Sequence, residues 1–220
     1  IIDANNSGSA LTISGSGGHL INGLTFTRGS GFPAHGGGGI SAESCTDLTI
    51  RSCSFIDNLN DSSLYSAGGI RVGNGSVSIE NCSFINNQSL HNGSAIYLFS
   101  SNGSISGCLF EGNGSPAQID DSLASYDTVH YQSGSTGSVT DCLFRSNTIH
   151  TQEVGLHCNC NIDLYFCDFK SPLGPQDMAG SIIGGPDGCN DFAAIGGNTA
   201  CEYSSPYIGV NHTEPLENYF

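Results

Sequence analysis

Apolar residues along this chain come in short alternating groups rather than in helical stripes. Leu48-Thr49-Ile50, Val77-Ser78-Ile79 and Ile162-Asp163-Leu164 set an apolar side chain at every second residue, and Ile105 and Val139 sit in polar stretches of the same kind. A period of two puts alternate side chains on one face of a strand. Glycine, asparagine, serine and threonine crowd the gaps, a composition that favours tight turns. No window keeps a helical period, so the pattern predicts an all-β chain.

The groups also recur. Cys82-Ser83-Phe84-Ile85-Asn86-Asn87 is preceded by Cys53-Ser54-Phe55-Ile56-Asp57-Asn58. It is followed by Cys108-Leu109-Phe110-Glu111-Gly112-Asn113 and Cys142-Leu143-Phe144-Arg145-Ser146-Asn147, with weaker copies at Leu24-Thr25-Phe26 and Cys167-Asp168-Phe169. The aligned Phe residues lie 29, 29, 26, 34 and 25 positions apart. Self-similarity at this period marks a solenoid, in which each repeat buries its apolar face against its neighbours.

Each repeat offers one more apolar strand signal, mostly after small residues: Gly38-Gly39-Ile40, Gly68-Gly69-Ile70, Ser94-Ala95-Ile96, Val129-His130-Tyr131 and Val154-Gly155-Leu156. Counted from Ile40, Ile70, Ile96, Tyr131 and Leu156, the next Phe is 15, 14, 14, 13 and 13 residues away. Length variation is thereby confined to the loop after Phe-x-x-Asn, longest at residues 114–128. Three strands per turn with one variable loop predict a right-handed parallel β-helix of about six to seven coils over residues 1–170. Residues 171–220, rich in proline and without the Cys-x-Phe motif, are expected to form an irregular C-terminal cap or interaction arm. Stacked coils place equivalent residues about 4.8 Å apart. The Phe residues then form an internal stack, the cysteines an internal ladder, and the corner asparagines a ladder of amide hydrogen bonds.

Charge and cysteine content narrow the setting. Twenty acidic residues against 5 Lys and Arg give a net charge of −15, which repels phosphate backbones and excludes nucleic acid as a partner. Ten cysteines without zinc spacing favour an oxidising compartment. Cys53, Cys82, Cys108, Cys142 and Cys167 are expected as buried thiols or as disulfides between rungs, and Cys189 and Cys201 as a closure of the tail. Nine Asn-x-Ser/Thr sequons point to N-linked glycans. Asn87 and Asn113 lie at the Asn corner and Asn81 also heads a sequon, while Asn5, Asn60, Asn74, Asn92, Asn102 and Asn211 are the expected acceptors, the loop sites more accessible than the corner sites. No transmembrane run or signal peptide is present, so the expectation is a mature product or excised piece, secreted, extracellular or on a cell surface.

The Gly-Gly-Ile motifs at 38–40 and 68–70, with Phe-x-x-Asn at 55–58, 84–87, 110–113 and 144–147, resemble the repeats of the chlamydial polymorphic outer membrane proteins. The resemblance covers about residues 20–170. It implies a β-helical passenger acting at the cell surface in adhesion, and similar repeats occur in large secreted proteins of other bacteria, protists and algae. This chain departs by having Ile where the family has Ala after Gly-Gly, by carrying no translocator barrel, and by its many sequons. Those departures fit a eukaryotic extracellular protein as well as a bacterial autotransporter.

Candidate chemistry is sparse. Polysaccharide hydrolysis on a β-helix needs clustered carboxylates on one face. Asp120-Asp121 is the only Asp-Asp pair, and with Asp127 and His130 it could line the long loop. Arg28, Arg51, Arg71, Arg145 and Lys170 fall in different coils, and the histidines have no mutual metal spacing. No metal or cofactor is implied. The expected function is therefore non-enzymatic: a glycosylated structural or adhesive building block that joins an extracellular filament or surface assembly by head-to-tail contacts, with itself or other extracellular proteins as partner. The alternatives are a polysaccharide lyase or hydrolase working around Asp120 to His130, and a monomeric adhesin or carbohydrate-binding module.

Overall fold

The structure, a computed structural model, describes residues 1–31, 36–60, 67–90, 93–114, 127–132, 134–145 and 147, and the strand paths at 154–158, 162–165 and 168–170. A leading strand, β1 (Ile2–Asp3), precedes six three-strand coils. The first coil is β2 (Leu11–Ser14), β3 (His19–Asn22) and β4 (Thr25–Thr27). The second is β5 (Ile40–Glu43), β6 (Leu48–Arg51) and β7 (Ser54–Ile56), trailed by β8 (Leu59–Asn60). The third is β9 (Ile70–Gly73), β10 (Ser76–Glu80) and β11 (Ser83–Ile85), trailed by β12 (Gln88–Ser89). Next come β13 (Ile96–Phe99), β14 (Asn102–Ser106) and β15 (Leu109–Glu111), then β16 (Asp127–Tyr131), β17 (Thr136–Thr140) and β18 (Leu143–Arg145). The last coil is β19 (Val154–Cys158), β20 (Ile162–Tyr165) and β21 (Asp168–Lys170).

Equivalent strands stack in parallel. The first sheet runs β2-β5-β9-β13-β16-β19, the second β3-β6-β10-β14-β17-β20, and the third β1-β4-β7-β11-β15-β18-β21. Within a coil the chain leaves the second sheet for the third through a left-handed corner residue: Ser52, Asn81, Gly107 or Asp141. Asn, Asp and Gly enter this conformation at least cost, which accounts for much of their abundance. The predicted tail at 171–220 and the residues of the long insertion at 115–126 lie outside the described residues.

The interior is built from columns. Phe26, Phe55, Phe84, Phe110 and Phe144 stack with ring centroids 5.1, 4.8, 5.0 and 4.5 Å apart, a spacing set by the strands. Beside them run Ile40–Ile70–Ile96–Val129 from the first sheet and Ile50–Ile79–Ile105–Val139 from the second, all fully buried. Burying each such side chain contributes about 1.5–3 kcal/mol. The register corrects one alignment: Val129, not Tyr131, stacks on Ile96, and Tyr131 falls in the next inward column on Leu98. Two residues along a strand face the same side, so alternation alone does not separate the two choices.

A small residue precedes each isoleucine of the first sheet: Gly39, Gly69 and Ala95. A Cβ on Gly69 would meet the Ala95 carbonyl oxygen at 2.4 Å and the Phe84 ring at 3.1 Å. The carbonyl of the next coil, with the Phe84 ring behind it, leaves no room for a side chain at Gly69.

At the corner after the third sheet the asparagines form a continuous ladder. Asn87 donates from Nδ2 to Asn113 Oδ1 (3.0 Å) and to the Phe55 carbonyl (2.9 Å), and its backbone N–H donates to the same Asn113 Oδ1 (3.0 Å). Asn58 and Asn113 repeat the arrangement toward Asn87 and Asn147, and Asn58, Asn87 and Asn113 are fully buried. Gly29, which stands where the first coil has no asparagine, donates its N–H to Asn58 Oδ1 at 3.0 Å. Each of these three amides pairs both donors, so the ladder leaves none of its own buried N–H groups unsatisfied.

Candidate functional site

On the first sheet the inward columns leave every other residue facing out. Register stacks Ser41, Arg71, Tyr97 and His130 in one outward column, with His157 as the Cα partner of His130 on the next strand. Arg71, Tyr97 and His130 are nevertheless buried, at 8%, 0% and 2% exposure. Arg71 Nη1 pairs with Glu43 Oε2 at 2.6 Å, and Asn74 Nδ2 donates to Glu43 Oε1 at 2.6 Å. Tyr97 donates its hydroxyl to Gln132 Oε1 at 3.0 Å, and its ring lies 5.3 Å from that of His130. The Ser94 and Thr128 hydroxyls at the entry of the same strands are buried without a hydrogen-bond partner.

Burial raises the Glu43 carboxyl, but hydrogen bonds from Arg71 and Asn74 and the Arg71 charge outweigh it and hold the group below the ordinary glutamate range. The column therefore sets a guanidinium, a phenol and an imidazole along one line, with the Glu43 carboxylate paired to Arg71 from two residues further along the neighbouring strand. Their chemistry matches hydroxylated or anionic groups, but the Arg71, Tyr97 and His130 side chains are almost wholly covered. Among the described residues no three His, Cys, Asp or Glu side chains gather into a metal site.

Of the acidic-loop group expected from the sequence, His130 lies in this column. Asp127 begins β16 as the Cα partner of Val154, and Asp120 and Asp121 lie outside the described residues. Glu43, Arg71 and Tyr97 were not anticipated. The signal was present: Ser41, Arg71 and Tyr97 each follow the repeated isoleucine, the first outward position of the strand.

The described cysteines of the ladder, Cys53, Cys82, Cys108 and Cys142, are buried thiols, and Cys45 is another. Each ladder thiol donates to the carbonyl two residues back, at 3.2, 3.3, 3.3 and 3.1 Å. Burial and the neighbouring Cys142 thiol push the Cys108 thiol well up, and the Cys108 thiol together with burial does the same to Cys82. These are inert positions for thiolate chemistry. Cys167, Cys189 and Cys201 lie outside the described residues.

Asn5, Asn74, Asn81 and Asn102 are exposed sequon asparagines, and Asn92 and Asn211 lie outside the described residues. Asn60 corrects the expectation of an accessible loop site. It is fully buried because β8 pairs with β12, and its amide turns in to donate to the Gly36 carbonyl. A further surface feature sits on the outer face of the second sheet: a groove of about 280 Å³ lined by Asp47, Thr49, Ser76, Ser78, Asn102 and Ser104. Among the described residues no helix is long and apolar enough to cross a membrane.

Three parallel sheets wound from successive coils, with buried columns in each, define a right-handed β-solenoid. A family model for the right-handed β-helix region matches residues 2–171, and the chain belongs to that family. The family holds polysaccharide-cleaving enzymes as well as proteins without catalytic activity, so membership fixes the fold and leaves the chemistry to the individual side chains. No curated protein and no solved structure matches the chain.

Proposed function

We propose that this β-helix is a non-enzymatic, N-glycosylated extracellular protein, a structural or adhesive building block of a cell-surface assembly. One observation carries the reading: the repeated polar side chains are spent on holding coil to coil. Asn58, Asn87 and Asn113 satisfy both amide donors on the coils to either side of their own. A repeat selected for rigidity serves a spacer or scaffold. The acidic surface and exposed sequons suit an extracellular setting.

Kinship with the polymorphic outer membrane proteins belongs to the same proposal. It is supported by the column Gly39, Gly69 and Ala95, which sets a small residue, alanine in the third case, just before Ile40, Ile70 and Ile96. Aligned this way, Ile40, Ile70 and Ile96 correspond to the family's final apolar position, while Gly39 and Gly69 stand where the family has alanine.

The test is electron microscopy of the protein isolated from its source without refolding. Filaments or arrays are expected, with an axial subunit repeat that is the number of coils times about 4.8 Å if units join head to tail. Discrete particles with no tendency to associate overturn the assembly reading.

A second reading has its own support in the column of Arg71, Tyr97 and His130 beside Glu43. On this reading the first sheet binds or cleaves an acidic or hydroxyl-rich polysaccharide. Cleavage of oligosaccharides that is lost in His130→Ala and Arg71→Met favours it. Glycan binding without cleavage favours a carbohydrate-binding module instead.

A further inference from the structure

Asn102 and Ser104 are the acceptor and the hydroxyl of one sequon, and both line the groove on the second sheet. Register brings the rest of the wall to them: Ser76 is the partner of Asn102, and Thr49, Ser78 and Ser104 stack in one column. Gly103 and Ile105 point inward, which turns the exposed Asn102 and the half-buried Ser104 outward on the same face.

The wall is a string of hydroxyls with the Asp47 carboxylate at its border, and Glu80 reaches Ser78 from beyond the groove. Ser104 Oγ lies 3.3 Å from Ser78 Oγ, which lies 2.8 Å from Glu80 Oε1. Ser76 Oγ accepts the Asp47 backbone N–H at 2.8 Å, and the Asp47 side chain borders the groove. Donors and acceptors alternating along a shallow polar groove match the hydroxyl and acetamide groups of an amino sugar.

We propose that Asn102 carries an N-linked glycan whose first sugar lies in this groove, and that Asn74 and Asn81 carry glycans on the corners to either side. The inference rests on the extracellular reading above. Both flanking asparagines are exposed and sit in left-handed single-residue corners, with φ of 53° and 51°. Asn60, Asn87 and Asn113 are excluded because they are fully buried. Asn74 is exposed, and its bond to Glu43 uses one amide hydrogen and leaves the other for attachment. In the attachment step Asn102 Nδ2 bonds to the anomeric carbon of the sugar and loses one proton. The bond that breaks joins that carbon to a lipid-linked diphosphate donor, which leaves with the electron pair. The second sheet thereby becomes the sugar-coated side of the solenoid.

The full chain isolated from its source is treated with a glycan-releasing amidase in heavy-oxygen water, and the labelled aspartates are mapped by mass spectrometry. Label at Asn74, Asn81 and Asn102 and none at Asn60, Asn87 or Asn113 is the expected result. Label at Asn87 or Asn113, or an unlabelled Asn102 beside labelled Asn74 and Asn81, overturns this inference and leaves the extracellular reading standing. An absence of label at every sequon overturns both.

Seating in the groove has a separate readout. From the folded glycoprotein, release at Asn102 is expected to be about tenfold slower than at Asn81, the effect of one or two hydrogen bonds. In Ser78→Arg, which fills the groove without touching a sequon, that lag is expected to vanish while occupancy is unchanged. Equal release rates in the unaltered protein overturn the seating.

Discussion

Asn58, Asn87 and Asn113 repeat one chemistry from coil to coil, whereas Ser41, Arg71, Tyr97 and His130 change it at every step. Both columns obey the same parallel register. The asparagine column works because each member is identical to the next: an amide donates to the Oδ1 above it and a carbonyl below it, and one substitution breaks bonds in two coils. In the outer column of the first sheet the contacts between coils differ at each step, Arg71 to Glu43, then Tyr97 to Gln132 and to the His130 ring. No single side chain is therefore required at every coil. Uniformity holds the solenoid, and individuality resides where the ladder does not reach.

The sharpest way to break this comparison is to put one wrong group into the uniform column. Asn87→Asp keeps the shape but replaces two donors with a buried acceptor facing Asn113 Oδ1 and the Phe55 carbonyl. We expect a loss of about 4 kcal/mol or more, or failure to fold. Urea denaturation followed by circular dichroism measures it, and a loss below about 1 kcal/mol contradicts the ladder's role.

Next in size is Phe84→Ala, which opens a cavity between rings at 4.8 and 5.0 Å and is expected to cost about 3–5 kcal/mol. Gly69→Val tests the same stack from the opposite side. Its side chain collides with the Ala95 carbonyl and the Phe84 ring, for an expected cost of about 1–3 kcal/mol. Combining Gly69→Val with Phe84→Leu is expected to recover part of that cost, since the two sites share a contact.

The individual column should give smaller effects. The folded Glu43 carboxyl sits below its unfolded value, so its stabilisation is complete above the ordinary glutamate range and is lost as pH falls through the folded pKa. With 42% of the Glu43 side chain exposed, the contribution is below about 1 kcal/mol. Glu43→Gln is expected to lower stability by that amount at neutral pH, where the pair is complete, and so to flatten the acid limb of the stability profile. Matching acid limbs in the two proteins would show that the Arg71 pair adds nothing.

The smallest expected signal is a null one. Iodoacetamide at mildly alkaline pH should leave Cys45, Cys53, Cys82, Cys108 and Cys142 unmodified in the folded protein and alkylate all five once urea unfolds it. A pair that stays unreactive after unfolding without reductant would reveal a disulfide between rungs.

What could be read from the sequence divides along the same line as the two columns. The Cys-x-Phe-x-x-Asn repeat exposed the third sheet, its corner and its inward stack, because identical residues recur at positions that the fold must treat alike. The first sheet was harder. Val129-His130-Tyr131 offers two apolar residues two apart, and the choice between them waits on the hydrogen-bond register. Asn60 was misjudged because a polar, turn-rich stretch hides the two-residue strand that draws it inward. The outer column was missed for the opposite reason. Serine, arginine, tyrosine and histidine share no chemistry that a motif search recognises, and they meet only after the coils are stacked.

Successive asparagines of the ladder, Asn58, Asn87, Asn113 and Asn147, are separated by 29, 26 and 34 residues, yet each bonds to the next with nearly the same geometry. Most of the surplus or deficit falls in the segment that follows each asparagine, beyond the short pairing of β8 with β12. Closing a loop twice as long costs only about 0.6 kcal/mol. That corner is therefore an insertion port: a peptide epitope, an affinity tag or a small domain grafted there should leave the coil count and the register intact. The same property gives natural variation a cheap place to accumulate, where lengths and sequences can diverge between coils while the axle they turn on stays fixed.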